Sequence, residues 1–115
     1  MNKDTKFEVL EKFVLSIGLN DKDTKTQIID TKKAQEIIEG LLIVEGFEGA
    51  SIFEGLGLYK HNQNGGGVYV HEKTLKVELL FTTLESVLSL CNAVKRALNQ
   101  ESVAIERVQS FSALI

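Results

Sequence analysis

An α+β sandwich of ferredoxin-like layout, βαββαβ, with two helices on one face of a four-stranded antiparallel sheet, is what the sequence predicts from three observations. Two long runs of strand character between Ala50 and Phe81 are joined by His61-Asn62-Gln63-Asn64-Gly65-Gly66-Gly67, the pattern of one extended hairpin. On either side of that hairpin lies a segment whose apolar residues recur at three- and four-residue steps, the helical spacing. A shorter alternating run precedes the first helix and another follows the second, so the order is strand, helix, strand, strand, helix, strand. Two right-handed crossovers place both helices on the same face, with strands one and three central and strands two and four at the edges.

The first strand is read over Lys12 to Leu19, with Phe13, Leu15, Ile17 and Leu19 on one face and Val14, Ser16 and Gly18 on the other. Residues 1–11 form a mostly polar N-terminal extension in which Phe7, Val9 and Leu10 either lengthen that strand or pack on a neighbouring subunit. Asn20 to Gln27 is a polar loop. Asp30 is placed to cap the first helix by accepting from the backbone N–H of Lys32 or Lys33. Ala34, Ile37, Ile38, Leu41 and Leu42 make its apolar stripe, and Gly46 and Gly49 end it. In the hairpin, Tyr69, His71, Lys73, Leu75, Val77, Leu79 and Phe81 share one face, while Val70, Glu72, Thr74, Lys76, Glu78 and Leu80 share the other. Gly55 and Gly57, flanked by Phe53 and Tyr59, leave a shallow trough or mark a twist or bulge. Thr82 and Glu85 are spaced as a capping box for the second helix, whose stripe is Leu84, Val87, Leu88, Cys91, Val94 and Leu98. The last strand is read over Ser102 to Val108, and residues 109–115 form an apolar C-terminal tail containing Phe111, Leu114 and Ile115.

A length of 115 residues, 43% hydrophobic and 25% charged, is the composition of one domain, residues 1–115. No run approaches the roughly 18 apolar residues of a membrane span, and Met1 to Lys6 lacks the apolar core of a signal peptide, so a cytoplasmic protein with no membrane partner is expected. Cys91 is the single cysteine, which excludes an internal disulfide and a CxxC pair; a place on the buried face of a helix is expected. A formal charge of −3 speaks against general nucleic-acid binding, which depends on a basic excess to release phosphate counterions.

Enzymatic signatures are missing: there is no nucleophile elbow, Walker loop, HExxH, or GxGxxG after a strand. A non-enzyme with no cofactor is therefore expected. Asp21, Asp23 and Asp30 lack the glycine and terminal glutamate of a calcium loop and read as a solvated turn. Gly65-Gly66-Gly67 offers backbone N–H groups to a phosphate, but the positive φ angles of a hairpin turn explain it as well. His61 and His71 flank the turn, yet two imidazoles with Glu72 fall short of a tetrahedral set, and no metal is expected. The ligand-binding candidates are Tyr59, His61, Tyr69, His71 and Lys73, a cluster able to stack on a planar ring and to donate to an anion if the strand register brings both arms to one side. Glu72, Thr74, Lys76 and Glu78 make the open sheet face polar, which suits a wet pocket or a polar interface. Glu72 and Glu78, six residues apart along a strand, are about 20 Å apart and too distant to act as an acid–base pair.

Ile17 to Thr24, Gly57 to His61 and Val70 to Glu78 carry a resemblance to small proteins of phages and mobile elements of Gram-positive bacteria, a group with no established activity. The resemblance spans most of the chain and implies a fold and a bacterial-host setting. The layout is also similar, more remotely, to the PII-like signalling and stress proteins, which oligomerise and bind small anionic ligands between subunits; their nucleotide loop is missing here. The expectation is a non-enzymatic, oligomeric small-molecule binder, a homodimer or larger, that sequesters a nucleotide-like host signal. The alternative is a protein-binding inhibitor or assembly module that engages a host protein through the open sheet face or an edge strand.

Overall fold

The computed structural model of the chain describes residues 6–63 and 66–115, the side chains of residues 61–66 excepted. Its elements follow in the order β1 (Glu8–Gly18), α1 (Thr31–Val44), β2 (Ser51–Gln63), β3 (Gly66–Leu79), α2 (Leu84–Ala97) and β4 (Ala104–Ser112). The sheet order is β2-β3-β1-β4 with every pairing antiparallel, the ferredoxin-like arrangement expected. Among the described residues no helix is long and apolar enough to cross a membrane.

One sheet face is dry. Phe13, Leu15 and Ile17 of β1 and Leu75, Val77 and Leu79 of β3 are fully buried and meet Ala34 and Ile38 of α1 and Val87, Leu90 and Val94 of α2. Each of the larger side chains contributes roughly 1.5–3 kcal/mol by leaving water, so the two central strands and two helix stripes supply most of the driving force. The edge strand β2 adds only Ile52, partly buried, because its other residues of that parity lie along the part of the hairpin beyond the helices.

Local signals fix the boundaries. Asp30 caps α1, its carboxylate accepting from the Lys33 N–H at 2.9 Å, and Gly46 at φ +82° turns the chain out of the helix. The capping box expected at Thr82 and Glu85 is not formed. Phe81, at φ +58°, turns the chain so that Thr83 becomes the cap and accepts from the Ser86 N–H at 3.2 Å. The stripe of α2 is also rotated from the expected one: Leu90 is buried, whereas Leu88 is 46% exposed. With Val87, Cys91 and Val94 fixed toward the sheet, Leu90 lies between them on the helical wheel and Leu88 lies at the margin. The first strand starts at Glu8, so Val9 and Leu10 lengthen it rather than belonging to a separate extension, and Val9 pairs with Phe111 of β4. By the same pairing β4 runs to Ser112, four residues past its expected end, and takes in much of the apolar tail.

Candidate functional site

The open face of the sheet carries a cleft of about 570 Å³. Its floor is built from residues of one parity in each strand: Ser16 and Gly18 of β1, Val68, Val70, Glu72 and Thr74 of β3, Gly57 and Tyr59 of β2, and Ala104 of β4. Its rim is the loop after β1, with Asn20, Asp21, Lys22 and Lys25, together with Gln100, Glu101 and Ser102 after α2.

Asn99 ties the two parts of the rim together. It follows the C-cap of α2 in the left-handed region, φ +48°, a conformation asparagine tolerates. Its Nδ2 donates to Asp21 Oδ1 at 2.8 Å and to Asp23 Oδ2 at 2.9 Å, and its carbonyl accepts from the Lys22 N–H at 3.1 Å. Asp21 Oδ2 in turn accepts from the N–H groups of Asp23 and Thr24. The Asn99 bond, followed by the Thr24 amide, holds the Asp21 carboxyl below its ordinary pKa. Gln100 is 8% exposed, and its Nε2 donates to the Asn20 carbonyl at 2.8 Å and to the Leu98 carbonyl at 3.3 Å. Asn20 is thereby fixed to the end of α2.

That anchoring matters because Asn20 holds Glu72. The Asn20 N–H donates to Glu72 Oε2 at 2.8 Å, and the carboxylate lies over Gly18, where an added Cβ would come within 2.6 Å of each of its three atoms. On the other side β3 pairs Glu72 with Gly57, and Thr74 with Gly55, so the carboxylate stands in a trough with no side chain on either flank. Among the described residues Glu72 takes part in no ion pair, whereas Glu78, two residues beyond Lys76 on the same face, meets Lys12 at 3.6 Å. Burial, and after it the charge of Glu72, push the Tyr59 phenol above its usual value, so it remains a protonated donor at neutral pH. The site therefore offers one carboxylate, one phenol, an apolar wall of Val68 and Val70, and two rim lysines.

The register separates the five sequence candidates. Tyr59 pairs with Val70 and lines the cleft; His61 pairs with Val68, and its side chain is outside the described residues. Lys60 pairs with Tyr69, Leu58 with His71, and Leu56 with Lys73, which puts Tyr69, His71 and Lys73 on the helix-side face. Tyr59 is thus on the opposite face from Tyr69, His71 and Lys73, and His71 pairs with Leu58, not with His61. The register, which the sequence left open, decides this: a paired residue shares a face with its partner, and an odd offset sends Tyr59 and the three residues of β3 to opposite faces. The turn glycine Gly65 lies outside the described residues. Gly18, Glu72, Asn20 and Gln100 escaped the sequence reading as a group. The trough at Gly55 and Gly57 and the polar parity containing Glu72 and Thr74 were the available signals.

No family model and no curated protein sequence matches the chain. Solved structures do. A phage SAM lyase in complex with S-methyl-5'-thioadenosine is similar at 20% identity and a TM-score of 0.64, over 90% of this chain and 84% of that one. The same type of lyase in its apo state gives 19% and 0.60, over 93% and 86%. GlnK of B. subtilis in complex with ATP gives 13% and 0.53, over 87% and 82%. These likenesses establish a fold shared with a phage lyase and with a PII-like protein. The expectation of a non-enzyme is overturned: a lyase is built on this fold, and the missing motifs exclude only chemistries that depend on them.

Proposed function

We propose that this chain is a small lyase of phage type that binds an adenosine-derived sulfonium in the open-face cleft and breaks a carbon–sulfur bond there. The observation that carries it is Glu72, a carboxylate with one oxygen fixed by the Asn20 amide and no cationic partner among the described residues, at the floor of a cleft of about 570 Å³. A cleft of that volume suits a nucleoside-sized ligand. Tyr59 and the Val68–Val70 wall suit the flat faces of base and ribose, and Glu72 suits a positive charge.

A sulfonium cation loses its hydration in water-poor surroundings, where an anionic partner stabilises it. When its carbon–sulfur bond breaks, sulfur keeps the bonding pair and becomes a neutral thioether such as S-methyl-5'-thioadenosine. In a lyase the carbon takes its new pair from within the substrate: either a base accepts the adjacent proton and the C–H pair becomes a C=C bond, or the substrate's own carboxylate forms a C–O bond and closes a lactone, so no water is consumed. The protein has to bind the cation, orient the departing chain and keep solvent out. Phe53 and Tyr59 on the open face are 50% and 43% exposed, and Leu80 is also exposed. Their cover by a second copy would close the open side of the cleft, which supports the expected self-association.

The test is incubation of the protein with S-adenosylmethionine and chromatography for S-methyl-5'-thioadenosine. Turnover by the wild type that falls at least about 100-fold in Glu72→Gln is expected. Binding without turnover would leave a sequestering protein, and neither binding nor turnover would remove the reading altogether.

A further inference from the structure

We infer that Gly18 is the positioning residue that keeps the Glu72 carboxylate on the Asn20 amide and so gives the cleft its preference for a cation; the ligand part of this rests on the function proposed above. Glycine at a paired position of a central strand weakens it, and Gly18, the last residue of β1, is still paired to Thr74, so it calls for a reason. The backbone supplies none. Gly46 is the glycine with a positive φ among the described residues, so Gly18 has a conformation open to any residue. The reason is space. A Cβ at Gly18 would fall on all three carboxylate atoms of Glu72, while at Gly55 and Gly57 it would meet Thr74 at 3.0 and 3.1 Å.

The atoms that a Gly18 side chain would strike form the far end of a flexible side chain, not backbone. Alanine at this position is therefore accommodated by swinging Glu72 aside, with Gly18 still paired to Thr74 across the ladder. The fold survives, and the carboxylate loses the Asn20 N–H. Held on that amide, Glu72 has Oε2 committed and Oε1 uncommitted among the described residues, a pre-oriented partner for one positive charge. Released, it becomes a mobile carboxylate that a cation must order for itself.

Two probes differ at a single centre: sinefungin carries an ammonium-bearing carbon where S-adenosylhomocysteine carries a neutral thioether sulfur. Calorimetric titration of both is run on wild type, Gly18→Ala and Glu72→Gln, with amide hydrogen exchange at Asn20 followed in each free protein. The wild type is expected to prefer sinefungin. Gly18→Ala should weaken sinefungin about 10-fold or more, leave S-adenosylhomocysteine within about twofold, and speed Asn20 exchange about 10-fold. A loss of packing alone would move both probes together, and that result, or unchanged Asn20 exchange, overturns the inference. Should wild type bind neither probe, the proposed function falls and Asn20 exchange still decides the positioning role. Should Gly18→Ala fail to fold, Glu72→Asp replaces it: one methylene shorter, it cannot reach the Asn20 amide and must show the same two changes.

Discussion

Replacing Gln100 with leucine isolates the post that carries the cleft rim. The side chain is almost fully buried, and its Nε2 donates to two carbonyls, Asn20 at 2.8 Å and Leu98 at 3.3 Å. Leucine fills a similar volume but donates nothing, so both acceptors lose a partner inside the fold. The backbone N–H of residue 100 keeps its bond to the Lys95 carbonyl, so the helix end itself is retained. An intramolecular hydrogen bond contributes about 1 kcal/mol net, and a carbonyl left unpaired away from water costs about 1–3 kcal/mol. Water at the cleft rim restores part of the Asn20 term, which leaves a loss of about 2 kcal/mol. A chain of 115 residues unfolds with an entropy of about 0.24 kcal/mol/K, so Gln100→Leu should lower Tm by about 8 °C. Differential scanning calorimetry of both proteins reads this directly. A fall smaller than about 2 °C would show that neither bond stabilises the fold and that Asn20 is held by other means.

Two further outcomes follow from buried or partly buried titratable groups. Burial pushes the Cys91 thiol above its usual range, with Lys95 pulling weakly the other way; native protein at pH 8 should react with a thiol reagent about 100-fold or more slowly than denaturant-unfolded protein, and equal rates would show that α2 is wrongly phased. The Tyr59 phenol is raised in the folded state, so its contribution to stability is present below pH 10 and is lost as pH rises through the folded value. The urea midpoint of wild type should therefore fall between pH 9 and 11 more than that of Tyr59→Phe.

The fold was legible because its strongest signals are periodic and local. Period two in β1 and β3 identifies Phe13, Leu15, Ile17, Leu75, Val77 and Leu79 as one buried layer, and nothing in the tertiary structure competes with that assignment. What the pattern lacks is a stop. The run Glu8 to Glu11 is polar enough to read as an extension, and pairing with Gln109 to Ser112 across the sheet is what makes it strand. Helix phase failed at Leu88 for a related reason. A stripe of Leu84, Val87, Leu88, Cys91 and a stripe through Val87, Leu90, Cys91, Val94 both satisfy the spacing, and only the sheet below chooses between them.

The site lies one level further from the sequence, because it depends on the registers between strands, which no single segment specifies. Tyr59 reaches the floor because β2 and β3 pair it with Val70; an offset of one residue would put it beside Tyr69 on the helix side and remove the phenol from the cleft. Glu72 reaches its amide because β1 and β3 pair Gly18 with Thr74, which sets the carboxylate diagonally above the glycine, and because Leu19 N–H to Lys73 carbonyl at 3.0 Å carries the ladder one residue past the end of β1. Strand side chains lean along the chain direction, and at a diagonal separation of about 7–8 Å between α-carbons a glutamate spans the gap where an aspartate stops short. Three separate segments thus have to agree before a single carboxylate is placed: the glycine of β1, the parity of β3, and a loop pinned to α2 by Asn99 and Gln100. No one of them is unusual in the sequence. Their coincidence at Glu72 is a property of the folded sheet, and a one-residue slip in the β1–β3 pairing would undo it.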